Sequence, residues 1–76
     1  MEINDFIKNI ADQFDDTDTS AFDPSTNFRE LDEWSSLIAL AILNMIDKKY
    51  GIHLTPIEMR VKNTIQELFE LVQSKQ

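Results

Sequence analysis

Two adjacent serines, Ser35 and Ser36, are the side chains of this 76-residue sequence best placed for chemistry. They stand between Leu31 and Leu37, where a polar, acidic stretch meets a long stretch of periodic apolar residues. A serine at such a junction can cap the following helix, because its hydroxyl accepts a hydrogen bond from a backbone N–H of the first turn. Position alone therefore favours capping by one or both serines, with a functional hydroxyl as the alternative.

No other group of residues has the spacing of a catalytic or metal site. The sole histidine, His53, lies in a turn near Gly51 without an acid or hydroxyl partner, so we interpret it as a surface residue. Five aspartates could suggest a calcium loop, but their stretch lacks the internal glycine and final glutamate of an EF-hand; they are at positions 12, 15, 16, 18 and 23. The absence of cysteine excludes a thiolate nucleophile and disulfides. Nothing in the sequence indicates an enzyme or a metal site.

The composition describes one small, acidic, folded domain covering 1–76. Hydrophobic residues make up 42% and charged residues 28%, which is typical of a globular protein. Seven basic residues against fourteen acidic ones give a net charge of −7, which argues against nucleic acid as a partner. Residues 1–36 hold ten acids and two bases, or −8, whereas 37–76 hold four acids and five bases, or +1. We therefore expect partners that are basic proteins.

The sequence also predicts where the protein resides. No window approaches the roughly eighteen consecutive apolar residues of a membrane span, and the acidic start from Met1 to Asp5 is unlike a signal peptide. We expect a cytoplasmic monomer that does not insert into membranes.

Apolar spacing and capping signals predict helices throughout. One helical face is formed by steps of one, three and four residues near the N-terminus, at Ile3, Phe6, Ile7, Ile10 and Phe14. Helix starts are indicated by a threonine followed three residues later by a glutamate, at Thr55 with Glu58 and at Thr64 with Glu67. Gly51 is a plausible helix stop.

These signals predict helices at 2–15, 37–50, 56–61 and 64–74. The intervening stretch from Asp15 to Glu33 is a long loop, held to the core by Phe22, Phe28 and Leu31. The predicted fold class is all-α: a small antiparallel four-helix bundle with three main helices, one short helix and a long first loop.

The second predicted helix has apolar residues on two faces. The inner face contains Ala39, Ile42, Leu43, Ile46 and Tyr50. The outer face contains Leu37, Ile38, Ala41 and Met45. Because an exposed apolar face marks an interaction site, we expect this outer face to be a docking surface.

The run Asp32-Glu33-Trp34-Ser35-Ser36-Leu37, with the helices that follow it, resembles an acyl carrier protein. The resemblance covers essentially the whole chain in element order, spacing, size and acidity. In that family a serine in an Asp-Ser-Leu motif opens the second helix and carries a 4′-phosphopantetheine arm. The resemblance places this attachment at Ser36, with Leu37 marking the register.

The resemblance further implies that a phosphopantetheinyl transferase moves the arm from coenzyme A onto Ser36. A phosphodiester at a helix N-terminus meets unpaired backbone N–H groups and the positive end of the helix dipole. The arm supplies the thiol that the sequence lacks, and acyl groups are carried there as thioesters. The family sometimes lodges the acyl chain among core side chains, for which the candidates are Ala39, Ile42, Leu43, Ile46, Ile65 and Leu68.

Two departures from the family pattern indicate a specialised carrier with its own partner enzymes. Ser35 replaces the usual aspartate before the attachment serine, and Asp47 is the only acid left on the outer face of the second helix. We expect steering of partners with basic docking surfaces by Glu30, Asp32 and Glu33. The contact surface then comprises Leu37, Ile38, Ala41, Met45 and Asp47.

Several alternatives stay open on the sequence. The cargo can be an acyl group of fatty-acid, polyketide or lipid biosynthesis, or an aminoacyl or peptidyl unit. Ser35 can also signal an unmodified helical interaction module that kept a carrier-like fold. Trp34 is either an anchor that folds the loop onto the core or a contact for the arm and partner, and its frequent burial in proteins favours the anchor.

Overall fold

The computed structural model describes residues 2–76, which form four α-helices joined by a long loop and two short connections. The helices are α1 (Ile3–Ala11), α2 (Ser36–Tyr50), α3 (Pro56–Arg60) and α4 (Ile65–Ser74). Two 3₁₀ turns, Thr19–Ala21 and Phe28–Glu30, lie in the loop between α1 and α2. Helix α1 packs against α4 and α2 against α3. Over the described residues the fold is a small helical bundle without a strand, as the sequence predicts.

Side-chain caps define where three of the helices begin. The Ser35 hydroxyl accepts a hydrogen bond from the Ile38 N–H at 3.3 Å at the start of α2. Helices α3 and α4 each start with a complete capping box, formed by Thr55 with Glu58 and by Thr64 with Glu67. These caps confirm the predicted starts to within one residue, since α2 begins at 36 rather than 37 and α4 at 65 rather than 64.

Helix α1 ends earlier than the predicted boundary at residue 15. It stops at Ala11, although Phe14 remains buried beyond its end. The Glu33 carboxylate accepts hydrogen bonds from the N–H groups of Asp15, Asp16 and Thr17, at 2.6, 3.0 and 2.9 Å. The α-helical hydrogen bonding ends where the N–H groups of Gln13 and Phe14 donate to carbonyl oxygens only three residues back, those of Ile10 and Ala11 at 3.1 and 3.0 Å. The bonds to Glu33 then fix the path of the chain beyond this end.

The long loop is tied to the start of α4. The N–H groups of Ile65 and Gln66 donate to the carbonyl oxygens of Thr26 and Pro24, at 3.1 and 2.9 Å. Phe22 and Phe28 are buried and Leu31 packs against the core, which confirms the three predicted anchors. The loop therefore has a defined path up to the first turn of α2.

The core lies between the helices and the inner side of the loop. Its largest fully buried side chains are Phe6, Ile10, Phe28, Ile42, Ile46, Ile65, Leu68 and Val72. The Phe6 ring contacts those of Tyr50 and Phe69, with centroid distances of 5.7 and 5.5 Å, which joins α1 to α2 and α4. Within residues 2–76, no helix has the length and apolar character needed to cross a membrane.

Candidate functional site

The two serines at the start of α2 have different structural positions. Ser35 is the N-cap, with extended backbone and its hydroxyl hydrogen-bonded to Ile38. Ser36 is the first helical residue, and its side chain is exposed. Among the residues that the structure describes, no hydrogen bond involves the Ser36 hydroxyl. Capping is therefore the role of Ser35, and the Ser36 oxygen is accessible from solvent.

Ser36 lies on the wall of a cleft of about 350 Å³ between α2 and α3. The cleft is lined by Arg29, Trp34, Ser36, Ala39, Leu40, Leu43, Pro56, Met59 and Arg60. Most of these side chains are apolar, and the charged ones are both arginines. A covalent group on Ser36 would therefore stand beside an apolar surface flanked by positive charge.

Arg29 links the loop to the end of α3. Its Nε donates to the carbonyl oxygen of Lys62 at 3.0 Å, and its Nη2 donates to that of Met59 at 2.6 Å. The guanidinium carbon also lies 6.0 Å from the centroid of the Phe28 ring. These contacts hold one cation of the cleft in a fixed place.

Sequence interpretation missed both arginines, together with Leu40, Pro56 and Met59, as residues near Ser36. Arg29 carried a signal, because it is one of only two bases in the first 36 residues. No comparable signal marked Arg60, since its proximity to Ser36 depends on the packing of α3 against α2.

Trp34 makes the anchoring contact that the sequence favoured of its two alternatives. Its ring packs on Phe28 with a centroid distance of 5.3 Å, and the side chain contacts the core while also lining the cleft. The anchoring contact is thus present in the fold. Contact with an arm stays a prediction.

The six candidates for an acyl pocket divide into two groups. Ala39 and Leu43 line the cleft. The other four have no exposed surface and lie in the closed core: Ile42, Ile46, Ile65 and Leu68.

The outer face of α2 differs from the prediction. Leu37 is exposed over 79% of its surface, but Met45 is only 5% exposed, and its assignment to an exposed docking face is wrong. Met45 follows Ile42 by three residues, and residues at that spacing share one side of a helix, so it joins the core. Ile38 and Ala41 are half-buried and Asp47 is exposed.

The three acids expected to steer partners do not share one environment. Glu30 and Asp32 are exposed, whereas Glu33 is half-buried and accepts hydrogen bonds from the chain that follows α1. Partial burial raises the pKa of Glu33, but the hydrogen bonds from Asp15, Asp16 and Thr17 outweigh it and hold that pKa below its usual value. The Glu33 carboxylate therefore supports the loop in addition to contributing charge.

Comparison with known proteins agrees with this architecture. The structure describes a small helical domain whose second helix begins at an exposed serine. The model of the family described as phosphopantetheine attachment site matches residues 5–72, and the chain therefore belongs to that family. Comparisons with curated proteins and with solved structures gave no match. Family membership makes the chain a carrier that bears 4′-phosphopantetheine, and domains of this family act as carriers.

Proposed function

We propose that Ser36 carries the 4′-phosphopantetheine arm, and that the protein presents acyl groups on this arm to the enzymes of a biosynthetic pathway. The observation that supports this most strongly is the division of roles at the start of α2. Ser35 supplies the cap, so the exposed Ser36 hydroxyl is free for modification without loss of the helix start.

The surroundings of Ser36 fit an anionic phosphodiester. Ser36 is in the first turn of a 15-residue helix, where backbone N–H groups and the helix dipole favour negative charge. The nearby cleft contributes two arginines to the same region. When bound, the arm supplies a terminal thiol that holds acyl groups as thioesters.

The attachment reaction requires no catalytic group from this chain. The Ser36 oxygen forms a bond to the phosphorus on the pantetheine side of the coenzyme A pyrophosphate. The bond from that phosphorus to the bridging oxygen breaks, adenosine 3′,5′-bisphosphate leaves, and the hydroxyl proton is lost. The phosphopantetheinyl transferase supplies the base, so Ser36 needs only exposure and a defined position.

The proposed partners are enzymes with basic docking surfaces. Glu30 and Asp32 are exposed acids close in sequence to Ser36, and Leu37 offers an apolar contact in its first turn. We propose that Ile38, Ala41 and Asp47 also contact these partner enzymes. A cytoplasmic location and a monomeric state complete the proposal.

Loading by a broad-specificity phosphopantetheinyl transferase tests the attachment. Purified wild type, Ser35→Ala and Ser36→Ala are incubated with coenzyme A and the enzyme, and intact mass is measured. We expect one added arm on wild type and on Ser35→Ala, and none on Ser36→Ala. Ser35→Ala is the matched control, because it removes the neighbouring hydroxyl and leaves Ser36 in place.

Two other results would change the assignment. An arm on Ser36→Ala would mean that a different residue is modified. Failure of wild type to load with any transferase, including one from the source organism, would favour an unmodified interaction module. Attachment of the arm is the same for acyl, aminoacyl and peptidyl cargo. These cargoes are distinguished by which group the partner enzymes transfer to the thiol of the arm.

A further inference from the structure

The cleft beside Ser36 has a charge opposite to that of the protein as a whole. The chain carries fourteen acids and seven bases. Nevertheless, the cleft lining contains Arg29 and Arg60 and not one carboxylate. The lining therefore combines one serine, Ser36, with two cations.

Both arginines have donors available. Hydrogen bonds to carbonyl oxygens use Nε and Nη2 of Arg29, which leaves further N–H groups of its guanidinium. Arg60 is exposed, and within residues 2–76 it forms no ion pair; the ion pair found there joins Lys75 to Glu58. A guanidinium without a carboxylate partner is well suited to a phosphate oxygen.

We propose that Arg29 and Arg60 form an anion site for the phosphodiester of the arm on Ser36. This inference rests on the proposed attachment at Ser36. The phosphate bonded to the Ser36 oxygen accepts hydrogen bonds from the two guanidinium groups of the cleft. The apolar lining, including Leu40, Leu43 and Trp34, receives the dimethyl-substituted carbon chain next to the phosphate. The first part of the arm therefore lies along the protein instead of extending into solvent.

The net charge of the chain lets this proposal predict the direction in which loading changes the melting temperature. A phosphodiester adds one negative charge to a chain of net charge −7, which by repulsion alone would lower stability. Contact with two arginines reverses the effect, because the new charge then has close partners of opposite sign. Loading is therefore expected to raise the melting temperature, and the increase should shrink at high salt.

The test compares unloaded and loaded protein in three chains: wild type, Arg60→Gln and Lys48→Gln. Lys48 is an exposed base of α2 outside the cleft lining, so its replacement is a control with the same change of charge. We expect loading to raise Tm by about 2–5 °C in wild type and in Lys48→Gln. In Arg60→Gln the increase should be absent or become a decrease. An equal increase in all three chains would overturn the proposal.

A spectroscopic readout on wild-type protein avoids any effect of mutation on folding. The side-chain guanidinium resonances of Arg29 and Arg60 in ¹H–¹⁵N spectra, including the Nη groups, should shift on loading, while Ser36→Ala treated in the same way shows no change. Intact mass is measured on every sample. Absence of loading would contradict the attachment site itself, whereas full loading with unchanged arginine resonances and Tm would contradict the anion site alone.

Discussion

Ser35 and Ser36 have separate roles although they are adjacent in the chain. Ser35 forms the hydrogen bond that starts α2, and Ser36 presents an exposed hydroxyl one residue later. The sequence alone does not show which serine is the N-cap, because the N-cap is the residue whose backbone is still extended just before the first helical residue. The extended backbone of Ser35, with φ −156° and ψ 169°, makes that decision.

Glu33 predicts a pH dependence at the scale of a single residue. The pKa of Glu33 is lower in the folded protein than in the unfolded chain, where it is about 4.5. The carboxylate therefore stabilises the fold at pH values above the unfolded pKa, and this stabilisation is lost as the pH falls through the lower folded pKa. We expect Glu33→Gln to be less stable than wild type at pH 7, with the difference disappearing in acid. Urea unfolding followed at a series of pH values measures this difference.

Glu30→Gln is the matched control for that experiment. It removes an exposed carboxylate of the same loop, one for which the described part of the chain offers no hydrogen bond. Its effect on unfolding at pH 7 should be smaller than that of Glu33→Gln. Equal behaviour of the two variants would contradict the role assigned to the Glu33 hydrogen bonds.

Gly51 predicts a conformational effect at the scale of helix α2. Its φ of 69° is left-handed, and an added Cβ would meet no atom of the described residues within 4 Å apart from those of its chain neighbours, so a substitution is strained only by the backbone. We expect Gly51→Ala to lower the free energy of unfolding by about 1–2 kcal/mol. Gly51→Asn should lose less, because asparagine tolerates this conformation better. Equal losses by chemical denaturation would show that the conformation at residue 51 does not determine the cost.

Local signals explain why most elements were predictable. Thr55 with Glu58, Thr64 with Glu67, and Gly51 act within a few residues, and the structure contains the predicted capping boxes and helix stop. The end of α1 was not predictable in this way, because the apolar spacing continues to Phe14 beyond it. The path of the chain after the helix depends on Glu33, which is 16 to 18 residues from its hydrogen-bond donors. Met45 was wrongly assigned to the outer face because the core covers more of the α2 surface than the five residues of the predicted inner face, and it includes Met45.

The candidate site was predictable only in part for the same reason. Ser36 and Leu37 were identified from a contiguous motif. The cleft depends on contact between α2 and α3, and on Arg29 from the loop reaching the carbonyl groups of Met59 and Lys62. These contacts join residues about 30 positions apart, which local spacing does not reveal.

At the scale of the whole molecule, the concentration of acids before Ser36 predicts how partners are attracted. We expect the double variant Glu30→Lys, Asp32→Lys to be loaded by the transferase about 10-fold more slowly at low salt, because steering toward a basic surface is lost. The difference should shrink at high salt, where charges on the surface are screened. Initial loading rates at several salt concentrations measure both effects.

The control for position is the double variant Asp5→Lys, Asp12→Lys, which changes the net charge equally. These exposed acids of the α1 region border a hollow with Lys49 and Tyr50, at the opposite end of α2 from Ser36. A 15-residue helix is about 22 Å long. If both double variants load equally slowly, overall charge guides the enzyme, and the local role proposed for Glu30 and Asp32 is wrong.

The central claim is that the arm is attached to the side-chain oxygen of Ser36. Locating the arm on loaded wild-type protein tests this claim most directly. Loaded wild type is digested, and the peptide containing both serines is fragmented in a mass spectrometer under conditions that keep the phosphodiester intact. We predict that fragments ending between Ser35 and Ser36 assign the whole added mass to Ser36. An arm on Ser35, or on any other residue, would contradict the account.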